Sequence, residues 1–160
     1  MSLKSTNNQI AKDIHQEFYS LIAKGKIKWT DQWAKPFYPF IFESNNFKSV
    51  IDIGCGDGSF INKCADNSFE KCTATDLITV DLNLVKKNKS VRYLNTPASE
   101  LDLNETFDLV TSFECLEHVH LDEVDATLDK MFSLADKYLC LSIAHKKSGE
   151  KTKDGRNLHL

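Results

Sequence analysis

No two of the five cysteines (Cys55, Cys64, Cys72, Cys115 and Cys140) form a close pair, and their number is odd. That excludes a zinc knuckle and argues against a disulfide framework, leaving small buried hydrophobes in a reducing compartment. No apolar run approaches the roughly 18 residues that cross a bilayer, and the polar N-terminus carries no signal-peptide pattern. Both absences point to a cytoplasmic protein with no membrane partner. An excess of one charge is missing too: a net charge of -3 gives no overall argument for nucleic acid, which is not expected as a partner. Repeats and low-complexity tracts are absent. What is present is an ordinary soluble composition, 41% apolar and 27% charged over 160 residues, sized for one domain around one core.

Along the chain, Ile10, Ile14, Phe18, Leu21 and Ile22 recur at helical spacing, so an amphipathic helix is expected at about 7 to 24, ended by Gly25. In "IKWTDQWAKPFYPFIF" Thr30 can cap a short helix that Pro36 and Pro39 interrupt, and six aromatics fall between Trp29 and Phe42. This segment reads as an N-terminal layer covering the core or as a lid over a pocket beside it. From Ser49 the pattern alternates. Strands are expected at Ser49 to Ile53, Lys71 to Thr75, Val91 to Leu94, Phe107 to Ser112 and Tyr138 to Ala144. Helices fit between them at Ser59 to Ala65, roughly Thr79 to Lys87, and Asp122 to Asp136, the last with an apolar face of Val124, Leu128, Met131, Phe132 and Ala135. The expected fold class is therefore α/β: a doubly wound, mostly parallel sheet with helices on both sides. It divides into a cap (1–48), a core (49–145) and a polar, locally basic tail (146–160).

Half of the glycines fall in "SVIDIGCGDGSF", as Gly54, Gly56 and Gly58. A strand entering such a turn and leaving as a helix points backbone N–H groups and a helix dipole at whatever lies over the strand's C-terminal edge. A dinucleotide fingerprint starting at Gly54 would require glycine where Ser59 stands, and one starting at Gly56 would require it at Ile61. No Walker lysine with a Ser/Thr partner follows. The hydride-cofactor and nucleoside-triphosphate registers are thus disfavoured.

"DIGCGDG" resembles instead the first motif of class I S-adenosylmethionine-dependent methyltransferases, an acidic residue on the first strand followed by Gly-x-Gly-x-Gly. The resemblance continues through "TATDLI", which ends in Asp76, and "ASELDLNETFDLVTSFECLEHV", and covers about Ser49 to Ala144. It implies a Rossmann-like sheet of order 3-2-1-4-5 and S-adenosyl-L-methionine as cofactor. By resemblance, Asp52 orients the methionine ammonium while Gly54, Cys55, Gly56 and Gly58 form the loop over the amino-acid part. Asp76 would accept both ribose hydroxyls, a task suited to a bidentate carboxylate, and Leu77 would pack on the adenine. In related enzymes an aspartate next to the residue matching Ala98 usually meets the adenine amino group; here Pro97 occupies that place. Ser99 could substitute, with the Ala98 N–H bonding the ring, or could serve as a helix N-cap. Phe113 and Glu114 would overhang the methyl end. Leu-Glu-His-Val resembles the small-molecule, ubiquinone-pathway-like branch, so the acceptor is expected to be a small metabolite, a sugar or quinone precursor, methylated on oxygen.

Methyl transfer from a sulfonium is an in-line displacement that mainly needs aligned reactants and excluded water. A hydroxyl acceptor is helped by a base, and His118, then His145, are the candidates at the ligand-binding edge. His120 lies farther into a loop. Glu114, Glu117, Asp122 and Glu123 read as caps and solvated charges around a helix start, and no metal is expected. The family's closing antiparallel hairpin has no counterpart before Leu160, which suggests either a minimal form whose open edge is covered by a second copy or a partner subunit, or a shortened piece of a longer chain. Two other readings stay open: a non-catalytic S-adenosylmethionine-binding subunit, and a protein or tRNA methyltransferase using the basic tail.

Overall fold

The computed structural model describes residues 31–43, 46–67, 69–77 and 88–145, with the single positions 13, 16, 20 and 151. Thr30, the expected helix at 79–87, the 146–160 tail and nearly all of the expected helix at 7–24 lie outside the described residues.

Five strands form one sheet: β1 (Ser49–Ile53), β2 (Lys71–Thr75), β3 (Val91–Leu94), β4 (Phe107–Phe113) and β5 (Ala135–Ser142). Their order is β3-β2-β1-β4-β5, and every pairing is parallel. The central strands are covered on both faces, as parallel strands usually are: β1 is buried from Val50 to Ile53 and β2 from Cys72 to Thr75, while β3 and β5 at the edges are only partly covered. On one face α1 (Ser59–Asp66) packs with Phe60, Ile61 and Cys64 against Val50 and Leu109. On the other, α2 (Leu121–Leu134) packs with Met131 and Leu134 against Ile51, Ile53, Phe107 and Val110.

Several expected boundaries moved by a residue or two, and the largest shift is at the last helix-strand junction. The last strand begins at Ala135 rather than Tyr138 and ends at Ser142, because α2 runs into it without a loop. A register shift absorbs the junction, with Phe107 opposite Ala135 but Leu109 opposite Tyr138. The buried stripe of α2 is Glu123, Thr127, Met131 and Leu134, and Phe132, expected on the apolar face, is 64% exposed. Met131, Leu128 and Ala135 of the expected face do pack on the sheet-side core, while Glu123 and Thr127 in the helix's N-terminal half line a cleft.

The aromatic segment forms two 3-10 turns (Asp31–Trp33, Lys35–Phe37) and one turn of π-helix (Pro39–Glu43). Ile41 and Ala34 are buried, and Phe37, Tyr38, Phe40 and Phe42 pack against the α1-side core. Tyr38 stacks on Phe60 at 6.4 Å between centroids and meets Phe42 edge-on, while its hydroxyl donates to Asp31. These contacts match a core-covering layer.

At the end of the sheet remote from the glycine turn, the Asp108 carboxylate accepts from the N–H groups of Lys48 (2.6 Å) and Ser49 (3.2 Å) and pairs with Lys137 at 2.7 Å. Ser49 Oγ accepts in return from the Asp108 N–H. These bonds fix the entrances of β1, β4 and β5, and with them the level at which their other ends open.

Candidate cofactor site

The C-terminal ends of β1 and β2 are tied by the glycine turn itself. Thr75 O accepts from both Gly54 N (2.8 Å) and Cys55 N (3.0 Å), and Thr75 Oγ1 donates to Thr96 O across the end of β3. Gly54, with φ of 77°, has Cys115 directly above it: a Cβ at position 54 would stand 2.4 Å from Cys115 Sγ and 2.7 Å from its Cβ. Backbone conformation and lack of space both require glycine there. At the far side of the turn, Gly58 holds the N-cap of α1 at φ of 76°, and the Asp57 carboxylate accepts from the Ser59 N–H. Asp57 is therefore a cap.

Two carboxylates converge on the turn. Asp76 is buried, and its Oδ2 accepts from Gly56 N at 3.1 Å, which brings it over the loop. Asp52 is buried one strand away and accepts from Thr111 Oγ1 at 2.8 Å. Burial pushes the Asp52 carboxyl up to about 7; the Thr111 bond opposes the shift and the charge of Asp76 adds to it. Burial raises the thiols of Cys64, Cys72 and Cys140 and pushes Cys115 up to about 12, which disfavours their thiolates.

Beside the turn opens a small cleft of about 80 Å³. Ile53, Gly54 and Thr75 form its floor, Leu77 and the segment Thr96–Ser99 one wall, and Cys115, Val119, His120, Glu123 and Thr127 the other. Of the residues expected from sequence, Gly54, Leu77, Ala98 and Ser99 line this cleft, while Asp52, Cys55, Gly56, Gly58 and Asp76 build the loop and its carboxylates. Phe113 and Glu114 are not in its lining. The Phe113 ring sits 5.2 Å from Phe37 and 5.1 Å from Phe60, within the aromatic layer. Glu114, at φ of 51°, donates its N–H to Ser142 O where β4 ends.

Ser99 is no N-cap. It lies inside the 3-10 turn Ala98–Glu100, which Pro97 caps, and its hydroxyl donates to Glu123 Oε2 at 2.7 Å. Glu123, expected to be a solvated charge, is 3% exposed; Asp122 beside it is the solvated one, its side chain 76% exposed. His118 is half-buried on the 3-10 turn Leu116–His118 and is absent from the cleft lining. His145 is exposed. His120 does line the cleft, as the N-cap of α2, with Nδ1 accepting from the Asp122 N–H. Sequence reasoning missed Glu123, Thr127 and His120. The available signal was Glu123 and Thr127 four apart, on one stripe with Met131 and Leu134.

Among the described residues, no group of three or more His, Cys, Asp or Glu side chains could hold a metal ion, and no helix is long and apolar enough to cross a membrane.

Fold and site define a doubly wound α/β domain whose glycine turn and ligand cleft lie where parallel strands end, as nucleotide-type cofactor domains are built. Residues 27–160 match the family described as "Methyltransferase domain", and the chain belongs to that family. Over 83 residues it is 32% identical to the ubiquinone biosynthesis O-methyltransferase of Haemophilus ducreyi, which covers 45% of this chain and 35% of that protein. Over 98 residues it is 31% identical to the mitochondrial ubiquinone biosynthesis O-methyltransferase of Schizosaccharomyces pombe, covering 56% of this chain and 34% of that protein. The chain thus spans about a third of the length of these curated relatives. Among solved structures, Burkholderia thailandensis 1,6-didemethyltoxoflavin-N1-methyltransferase, with bound 1,6-didemethyltoxoflavin and S-adenosylhomocysteine, superposes with a TM-score of 0.69 at 23% identity, covering 94% of this chain and 71% of that one. An amino pentose methyltransferase from Micromonospora echinaspora with bound S-adenosylmethionine gives 0.64 at 22% identity, covering 79% and 56%. At these identities the superpositions show the fold alone.

Proposed function

We propose that the chain binds S-adenosyl-L-methionine in the cleft beside the glycine turn and moves its methyl group to a small metabolite. The carrying observation is the buried Asp76 carboxylate held on the Gly56 N–H at the tip of β2. The residues present suit the cofactor. Asp76 takes the ribose hydroxyls, Gly54 and Gly56 admit backbone close to the amino-acid part, and Asp52 offers negative charge to the ammonium. Leu77, Ala98 and Val119 supply apolar walls for a planar base.

When bound, the cofactor supplies a methyl group on a positively charged sulfur. The chain's contribution is alignment, exclusion of water and a proton acceptor for a hydroxyl substrate. His118, on the turn after β4, is the first candidate for that acceptor and His145, after β5, the second. Likeness to the ubiquinone biosynthesis O-methyltransferases supports oxygen as the methylated atom and a quinone-precursor-like substrate. The sugar-type acceptor draws support from the amino pentose enzyme. Five free cysteines are in keeping with a cytoplasmic setting.

Calorimetric titration with S-adenosylhomocysteine tests the reading. Wild type should bind in the micromolar range, and Asp76→Ala should lose at least tenfold in affinity. A folded wild-type chain that binds nothing would end it.

A further inference from the structure

The cleft lining contains a buried carboxyl group that the described residues leave half satisfied. Glu123 is 3% exposed and lines the cleft from α2. Its Oε2 accepts the Ser99 hydroxyl, while Oε1 is buried and has no hydrogen-bond partner among the described residues. A buried carboxylate oxygen without a donor is costly. Ile53, Leu77, Pro97, Ala98 and Val119 give the cleft apolar side chains and no donor of their own. A ligand that brings an N–H to Oε1 therefore gains what a ligand without one forfeits.

On the reading of this cleft as the cofactor's, we propose that Glu123 is the residue that selects the base: Oε1 accepts from the exocyclic amino group of adenine, and Ser99 fixes the carboxylate by occupying Oε2. Ser99 is a positioning residue in this arrangement. Its proton goes to Glu123, so it is not a donor to the ring. Pro97, in the same wall, carries neither a side-chain acceptor nor an N–H, which leaves the polar recognition to α2.

The test compares S-adenosylhomocysteine with S-inosylhomocysteine, in which a carbonyl oxygen replaces the amino group, by calorimetric titration. Wild type should prefer the amino ligand by about tenfold or more, the size of a hydrogen bond to a charged group. In Glu123→Gln, whose amide can offer either an oxygen or an NH2, the preference should fall to within about threefold. Asp76→Ala should weaken both ligands together and leave their ratio unchanged. Ser99→Ala should lower the ratio while sparing the fold, which keeps the proposal testable if Glu123→Gln fails to fold. A wild-type chain that binds both ligands equally, or a ratio unaltered in a folded Glu123→Gln or Ser99→Ala variant, overturns the assignment of Glu123 and leaves the cofactor reading standing. Failure of folded wild type to bind either ligand overturns the cofactor reading, and this inference with it.

Discussion

At position 54 a methyl group would stand 2.4 Å from the Cys115 sulfur, on a backbone with positive φ. Gly54→Ala should therefore destabilise the chain by about 2–4 kcal/mol, from overpacking plus the left-handed backbone. Urea denaturation checks this, and a Cys115→Gly background should recover part of the loss; equal losses in both backgrounds would remove Cys115 as the cause. Asp52 makes a second residue-scale prediction. Its carboxyl is raised from 3.8 to about 7 in the folded chain, so the unfolded state ionises first as pH rises. Its stability contribution is fully present below about pH 4, declines between there and about pH 7, and is flat above, a span on the order of 4 kcal/mol. Asp52→Asn should gain on wild type between pH 5 and pH 8 in denaturation midpoints, and a constant difference would contradict the shift. If Asp52 meets the cofactor's ammonium, ligand binding near pH 6.5 should also release protons, read from titrations in buffers of different ionisation enthalpy. Asp52 and Asp76 were singled out because "DIGCGDG" and "TATDLI" resemble the family's motifs, and the structure buries both carboxylates beside the turn. Glu123 was not, because an acidic residue in a helix's first turn ordinarily serves the dipole from solvent. Only the packing of α2 on the 3-10 turn at 98–100 shows that this one is covered.

Among the elements, β1, β2 and β3 stand where short runs rich in β-branched and apolar residues put them. The junction of α2 and β5 was less legible. Ala135 fits a helical face by period and an inward strand position equally well, so periodicity cannot locate the change. The face of α2 was misjudged for a related reason: Phe132 suits a core by composition, while Glu123 and Thr127 do not, yet the latter pair are buried because they face a cleft rather than the sheet. The entrances of the strands offer a mutational check. Asp108 joins β1, β4 and β5 through two backbone N–H groups and Lys137, and these partners hold its carboxyl below the ordinary range. Asp108→Ala should cost about 1–3 kcal/mol in urea denaturation, as expected for hydrogen bonds to a charged group. Lys137→Ala should cost much less, because its partner would still hold both N–H groups. A depressed carboxylate contributes stability above its unfolded pKa and loses it as pH falls through the folded value, so the gap between wild type and Asp108→Ala should close in acid.

For the whole molecule, strand-helix alternation implies a doubly wound sheet and the family resemblance its order; the cleft follows from that order, since the crevice opens where connections leave β1 and β4 in opposite directions. The chain spans about a third of its curated relatives, and the described residues contain both the turn and the cleft wall that recognition of a nucleoside requires. Binding should thus precede any question of turnover: a ligand at about a hundred times its Kd should raise folding stability by about 2.7 kcal/mol if it binds the folded chain alone. The most direct measurement is titration of the chain with S-adenosylhomocysteine beside its Asp76→Ala variant. Micromolar affinity in wild type, weakened tenfold or more by the substitution, is the predicted result; no binding by a folded chain, or equal binding by both proteins, would contradict the assignment of the turn and cleft to the methyl-donor cofactor.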